Sequence, residues 1–325
     1  MASLYGLRMD TIWDCIVVGG GAAGLSAALV LGRARRETLV IDAGRQSNAR
    51  AHGIGGLLGN DTRPPAEFYG AARDELAAYP SVALRSGEVV RGERIAAHFA
   101  LELADGSREL TRRVLLAPGM DYRFPALEGI EERWGRSVFH CPFCDGWEVR
   151  DQPLGVLDRG ATGLHRALLL RAWSDDVTLL ADGPCEMTAD DLDRLEAAGV
   201  TVDERRVAGL RGPNSTLTGV EFADGSSRVC RGLLVPVALH QRSTLAEELG
   251  AAASAAGPVA VDAVQVDARF ATSMPGVFAA GDVSSQMPSV AGAIGAGHLA
   301  AATLVGSLMT EAHGLAPAGV DASPA

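Results

Sequence analysis

The chain has 325 residues, 47% of them hydrophobic, with 39 glycines and a net charge of −11. That length suits roughly two domains of ordinary size, and the acidity repels both a phosphate backbone and an anionic membrane surface. All 29 positive charges are Arg, which excludes a Schiff-base or P-loop lysine. The residues up to Trp13 lack the apolar core of a signal peptide, and no later stretch reads as a membrane span. Five cysteines do not make a secreted disulfide scaffold, so a cytoplasmic enzyme is expected.

Asp14-Cys15-Ile16-Val17-Val18 reads as a buried strand entering Gly19-Gly20-Gly21-Ala22-Ala23-Gly24 and a helical run, Leu25 to Leu31. Gly19 permits the tight turn, Gly21 lets a pyrophosphate approach the backbone, and Gly24 lets helix and strand pack closely, with Ala22 and Ala23 between them. A second strand, Thr38 to Ile41, ends at Asp42, 23 positions after Gly19. A carboxylate there can accept both hydroxyls of an adenosine ribose. Strand, turn, helix, strand and acid in register point to a dinucleotide; a loop that is merely Gly-rich is the bland alternative.

Gly44 to Pro65 suggests a long loop beside the cofactor, followed by a helix from Pro65 to Tyr79. Val82–Val90, Ile95–Leu103 and Arg108–Leu116 read as strands, with Asp105-Gly106 as a hairpin turn. Leu115-Leu116-Ala117-Pro118-Gly119 closes the first half and offers Ala117 and Gly119 as cofactor contacts. Turn residues over Met120–Gly129 suggest a linker.

The run His140-Cys141-Pro142-Phe143-Cys144-Asp145-Gly146 places two cysteines three positions apart with an acid directly after them. Such a pair can close a disulfide or open to a dithiol, and Asp145 or His140 can move the proton that exchange requires. Half of a metal site and two inert cysteines are the other readings. A zinc site would need two further ligands at similar spacing, and Cys15, Cys185 and Cys230 stand alone. For His140, a packed imidazole is the competing reading.

A second unit repeats the first: the strand Leu154–Leu157, the turn Asp158-Arg159-Gly160-Ala161-Thr162-Gly163, a helix to Trp173 and the strand Val177–Leu180. Asp158 replaces the first glycine and sets a negative charge near any pyrophosphate. Asp182 can hold the ribose of NAD, and no Arg adjoins it in the sequence to grip a 2′-phosphate. The nicotinamide site reads as damaged and the unit as a retained scaffold. A hairpin follows at Asp224-Gly225, and Ala238–Thr244 leads back to the first unit. The last landmark is Gly276 to Asp282, a strand ending at an acid, before an Ala/Gly-rich helix through Leu308. His298 on that helix reads as packing. A disordered tail is expected over 315–325.

Together these motifs resemble the pyridine-nucleotide-disulfide oxidoreductases of the low-molecular-weight thioredoxin reductase type, from Asp14 to about Met309. The resemblance implies an α/β fold of two Rossmann-like (three-layer ββα) nucleotide-binding domains. It implies an FAD domain over 1–119 and 241–314, an NAD(P)-binding-like domain carrying the dithiol over 120–240, and a homodimer. It also gives Gly281 and Asp282 to the flavin, Asp282 at the ribityl chain. The chain departs from the thioredoxin reductases at Asp158, at Asp182, and at Pro288-Ser289, where they carry Arg-Gln. Its dithiol run, with Pro142, Phe143, Trp147 and Glu148, is more similar to the gliotoxin and holomycin dithiol oxidases, many of which carry His where this chain has Asp145. That likeness implies closure of a disulfide in a small-molecule dithiol, with electrons passing through FAD to dioxygen to give peroxide and no need for NAD(P)H. An NAD(P)H- or ferredoxin-dependent thioredoxin or disulfide reductase is the alternative, and a non-enzymatic redox-sensing flavoprotein is a third reading.

Overall fold

The computed structural model describes residues 12–315, and among these the chain divides into two compact units. Unit 1 comprises residues 12–47, Glu67–Asp121 and 239–315, and unit 2 comprises Asn48–Ala66 and Tyr122–Ala238. Of the tail expected over 315–325, all but Leu315 lies outside the described residues.

Unit 1 begins with β1 (Ile12–Val18), α1 (Ala22–Arg33) and β2 (Thr38–Asp42), then α2 (Pro65–Leu76). Cys15, Ile16, Val17 and Val18 are all buried, the continuous apolar run of a central parallel strand covered on both faces. β3 (Val82–Ser86) extends the parallel side, while β4 (Val89–Ile95), β5 (His98–Leu103) and β6 (Arg108–Leu116) form an antiparallel meander. The segment expected as one strand over Val82–Val90 is therefore two. The chain turns at Gly87, whose N–H donates to the Asp42 carbonyl at 3.0 Å. Likewise the strand expected from Ile95 starts only at His98, after a turn in which Ala96 takes a left-handed φ of 52°.

In unit 2, β7 (Met120–Arg123) starts at the boundary, and β8 (Val138–Phe139) leads into the short helix α3 (Pro142–Asp145). β9 (Leu154–Leu157), α4 (Gly160–Leu170), β10 (Val177–Leu180), α5 (Ala189–Ala197) and β11 (Val200–Asp203) follow. The antiparallel strands β12 (Val207–Arg211), β13 (Gly219–Phe222) and β14 (Ser227–Val229) precede β15 (Gly232–Leu234). The parallel sheet runs β11-β10-β9-β15-β8, so a second Rossmann-type layer is built as the first is.

The chain returns through β16 (Ala238–Gln241) and α6 (Leu245–Glu248) to β17 (Val277–Ala279) and α7 (Val290–Ala312). β6 divides its outer edge: Arg108–Thr111 pairs with β5, and Val114–Leu116 pairs in parallel with β17. α7 is long and apolar enough by length and composition to cross a membrane, which the sequence reading missed. In unit 1 it packs along α1, with Ala300, Ala301, Leu304 and Leu308 fully buried beside Ala27, Ala28 and Leu31. Each such Leu contributes roughly 1.5–3 kcal/mol by leaving water. The Ser289 hydroxyl caps α7 by accepting from the Gly292 N–H at 3.1 Å.

Candidate active site

Parallel register brings the first set of site residues to one edge. Val18 lies opposite Leu116, and Leu116 opposite Ala279, so Gly19, Ala117 and Gly281 all sit at the carboxyl ends of their strands, where α/β sheets bind ligands. Gly19 has φ 109°, and a Cβ there would overlap the Ala117 carbonyl. A Cβ on Gly24 would overlap the Gly19 carbonyl, while one on Gly21 would meet nothing within 4 Å. The turn is thus closed toward the sheet and open outward at the start of α1, where backbone N–H groups favour a phosphate. Ala22 and Ala23 begin that helix, and Gly281 (φ 85°) lies against Ala23 with Asp282 next in the chain. Gly119 takes φ 69° beside Ser47.

Asp42 lies over the same turn, since a Cβ on Gly20 would fall 2.6 Å from its carboxylate. It accepts from the Gly44 N–H at 3.0 Å, from Gln46 Nε2 at 3.2 Å and from Arg73 at 3.3 Å. A cleft of about 430 Å³ opens beside it, lined by Gly44, Arg73, Ser86 and Glu88 among others. Gln46 and Arg73 escaped the sequence reading: Arg73 reaches Asp42 only through the packing of α2, and Gln46 by the turn of the loop just after the acid. The open turn, the carboxylate and the adjoining cleft fit the pyrophosphate, ribose and adenine parts of FAD.

Cys141 and Cys144 form a disulfide with Cα atoms 5.3 Å apart. Cys141 is the extended residue preceding α3, Pro142 fixes the first helical position, and the Cys144 and Asp145 N–H groups both donate to the Cys141 carbonyl. Of the loop expected beside the cofactor, Gly44 and Gln46 lie against Asp42, while Asn48–Ala66 clusters with this dithiol unit. Gly55 packs on the Cys144 carbonyl so closely that a Cβ would overlap it, and Arg50 donates to the Glu131 carbonyl at 2.9 Å. Phe143, between the two cysteines, and Trp147, three positions after Cys144, are 70% and 63% exposed.

Two acid/base candidates differ sharply. Burial, with a smaller contribution from Glu148, pushes the Asp145 carboxyl up to about 7. Burial and then the Arg166 charge push His140 down to about 4. Its ring stacks on Trp134 at 5.7 Å and meets the Tyr122 edge at 5.2 Å, so the imidazole is neutral at neutral pH. Burial also raises the other three cysteines, Cys230 to about 12. None of them is a ready nucleophile.

The second turn is less damaged than its sequence suggests. The Asp158 carboxylate turns inward, 12% exposed, accepting from the Arg159 N–H at 2.8 Å and from Thr162 at 3.2 Å and pairing with Arg166. Its charge is offset within α4. The left-handed conformation has moved to Gly160 (φ 58°), whose N–H donates to the Cys185 carbonyl at 2.8 Å. Gly163 still allows helix to approach strand, a Cβ there lying 3.1 Å from the Asp158 backbone. Beside Asp182 the fold places Arg159 and Arg206, 3.7 and 3.6 Å from its carboxylate. The absence of an adjacent Arg in the sequence therefore misled. Arg206 is 24 positions downstream and arrives through the turn before β12. A turn able to take a phosphate and an acid at the ribose position fit a nicotinamide dinucleotide.

Two dinucleotide-type units and a two-cysteine redox pair define a flavin- and nicotinamide-linked disulfide oxidoreductase. The family model described as pyridine nucleotide-disulphide oxidoreductase matches residues 13–297, and the chain belongs to that family. It is 31% identical to the thioredoxin reductase tcpT of Claviceps purpurea, over 95% of this chain and 98% of that one. It is 30% identical to a thioredoxin reductase of Gibberella zeae, over 90% and 97%. Among solved structures, an oxidoreductase from Agrobacterium tumefaciens matches with a TM-score of 0.87 at 36% identity, over 92% of this chain and 99% of that one. These relatives overturn the expectation of an oxidase that closes a small-molecule dithiol and reduces dioxygen, which rested on the dithiol run and on a second turn read as damaged. They overturn equally the expectation that NAD(P)H is not used, which rested on reading Asp158 as an unpaired charge.

Proposed function

We propose that the chain is an FAD-dependent disulfide reductase of the thioredoxin reductase type, driven by a nicotinamide nucleotide and acting on the disulfide of a small protein. The observation that carries the reading is the Cys141–Cys144 disulfide with Asp145, its carboxyl pushed up to about 7, on the same turn. The names of the curated relatives support the choice of thioredoxin as partner.

In this reading Gly19, Gly21, Ala22, Ala23 and Gly24 hold the FAD pyrophosphate, and Asp42 the adenosine ribose. Ala117, Gly119, Gly281 and Asp282 line the flavin side. FAD supplies, when bound, a two-electron carrier between a nicotinamide and a disulfide. The protein's part is sulfur and proton chemistry. With the pair reduced, Cys141 as thiolate attacks a sulfur of the partner's disulfide, forming a mixed disulfide and expelling one partner thiolate. Cys144 then attacks Cys141, re-forming the internal disulfide and releasing the second thiolate. Two electrons leave the dithiol, and the partner's two sulfurs gain them with two protons. Asp145 supplies a proton to a departing thiolate because a carboxyl raised to about 7 still holds its proton in part of the molecules near neutral pH; His140, neutral down to about pH 4, does not titrate in that range.

The test is reduction of oxidised thioredoxin by NADH or NADPH, followed with a chromogenic aryl disulfide. Turnover that disappears in Cys141→Ser and Cys144→Ser supports the reading. Cys144→Ser should also accumulate a mixed disulfide through Cys141, visible by mass. Failure of the native flavoprotein to turn over with either nucleotide contradicts it.

A further inference from the structure

In the second unit Asp182 follows Asp158 by 24 positions, and Asp42 follows Gly19 by 23. Asp42 ends the second strand of its unit and Asp182 stands just beyond its own, the place from which a carboxylate accepts the hydroxyls of an adenosine ribose. Their surroundings differ. One Asp182 oxygen accepts from the Val207 N–H at 2.9 Å, and the other lies between the guanidinium groups of Arg159 and Arg206. Both arginines also donate to the Asp182 carbonyl, at 3.2 and 2.8 Å. Arg159 has a second acid, Glu186, at 3.6 Å. The neighbouring Arg205 is held by Asp203 at 2.9 Å and by Ser226 at 2.8 Å.

The two arginines and two acids of this cluster balance, and each guanidinium already has a carboxylate. A 2′-phosphate would add a charge of about −1.5 to −2 beside Asp182, with each cation already committed. A 2′-hydroxyl adds no charge and donates to the carboxylate it meets. We propose that Asp182 makes this unit selective for the nicotinamide dinucleotide without a 2′-phosphate, NADH over NADPH, with Arg159 and Arg206 holding the carboxylate in place. This rests on the reading that a nicotinamide nucleotide drives the enzyme.

The carboxylate can be neutralised without disturbing the turn. Asp182 has φ 50°, a conformation Asn also tolerates, and an amide oxygen can keep the Val207 bond. Asp182→Asn therefore removes the charge and leaves Arg206 without its carboxylate, while Arg159 keeps Glu186. The experiment is calorimetric titration of the oxidised, FAD-loaded enzyme with NAD+ and with NADP+, where no turnover occurs. The native enzyme should bind NAD+ the more tightly, by about tenfold or more. Asp182→Asn should move the ratio of the two dissociation constants toward NADP+ by a similar factor, and Arg206→Ala on that background should remove the gain. Equal or tighter binding of NADP+ by the native enzyme overturns the proposal, as does an unchanged ratio in Asp182→Asn. Binding of neither nucleotide overturns the nicotinamide reading itself, and the selectivity with it.

Discussion

Asp145 and Asp158 are the same side chain in opposite settings. Asp158 is held by Arg166 and by two hydrogen bonds, whereas Asp145 is partly buried and feels the like charge of Glu148. The Asp145 carboxyl consequently keeps its proton up to about pH 7 and sheds it above. Turnover should fall as pH rises through that value, and Asp145→Asn should lose this limb and slow the reaction at pH 6 by about 10²-fold or more. Steady-state rates between pH 5 and 9 check both. Stability carries the same sign. The folded-state value is raised, so between 3.8 and about 7 the folded chain binds more protons than the unfolded one, and this group's contribution falls as pH rises across that window. Chemical denaturation at pH 5 and pH 8 should show a smaller loss of stability for Asp145→Asn than for the native chain. The acid after Cys144 was legible in the sequence; its burial and the enclosure of His140 by Trp134 and Tyr122 were not, because both depend on residues brought in by the fold.

At the scale of elements, the glycine turns were legible because their purpose is local. Gly19, Gly24 and Asp42 follow from one strand–turn–helix–strand unit, and the structure places them as that unit requires. Arg206 reaches Asp182 only across a sheet, and the loop Asn48–Ala66 reaches Cys144 only through tertiary packing. No periodicity encodes either. Gly297 shows the same limit: on α7 it reads as a weak helix residue, yet a Cβ there would overlap the Ala23 carbonyl on α1. Gly297→Val should push the two helices apart, costing about 1–3 kcal/mol and weakening FAD retention at the start of α1. Gly306→Ala, where a Cβ meets nothing within 4 Å, should be neutral or slightly stabilising. Thermal midpoints and flavin content per chain of the two variants separate these outcomes.

On the scale of the whole molecule, the duplicated architecture and the dithiol between its halves were readable from motif order alone, and they led to the correct family. The direction of electron flow was not readable there. A Cys-x-x-Cys pair works either way, and the sequence showed Asp158 without Arg166 and Asp182 without Arg206. With those partners in place the second unit fits a nucleotide, and in the proposed reading the dithiol is the outlet of a reductase. The most direct measurement is anaerobic alkylation of the FAD-loaded enzyme before and after one equivalent of NADH or NADPH, read by peptide mass. The account predicts that Cys141 and Cys144 are protected beforehand and both labelled afterwards, with buried Cys15, Cys185 and Cys230 unchanged. Cys141 and Cys144 remaining unlabelled with both nucleotides would contradict it.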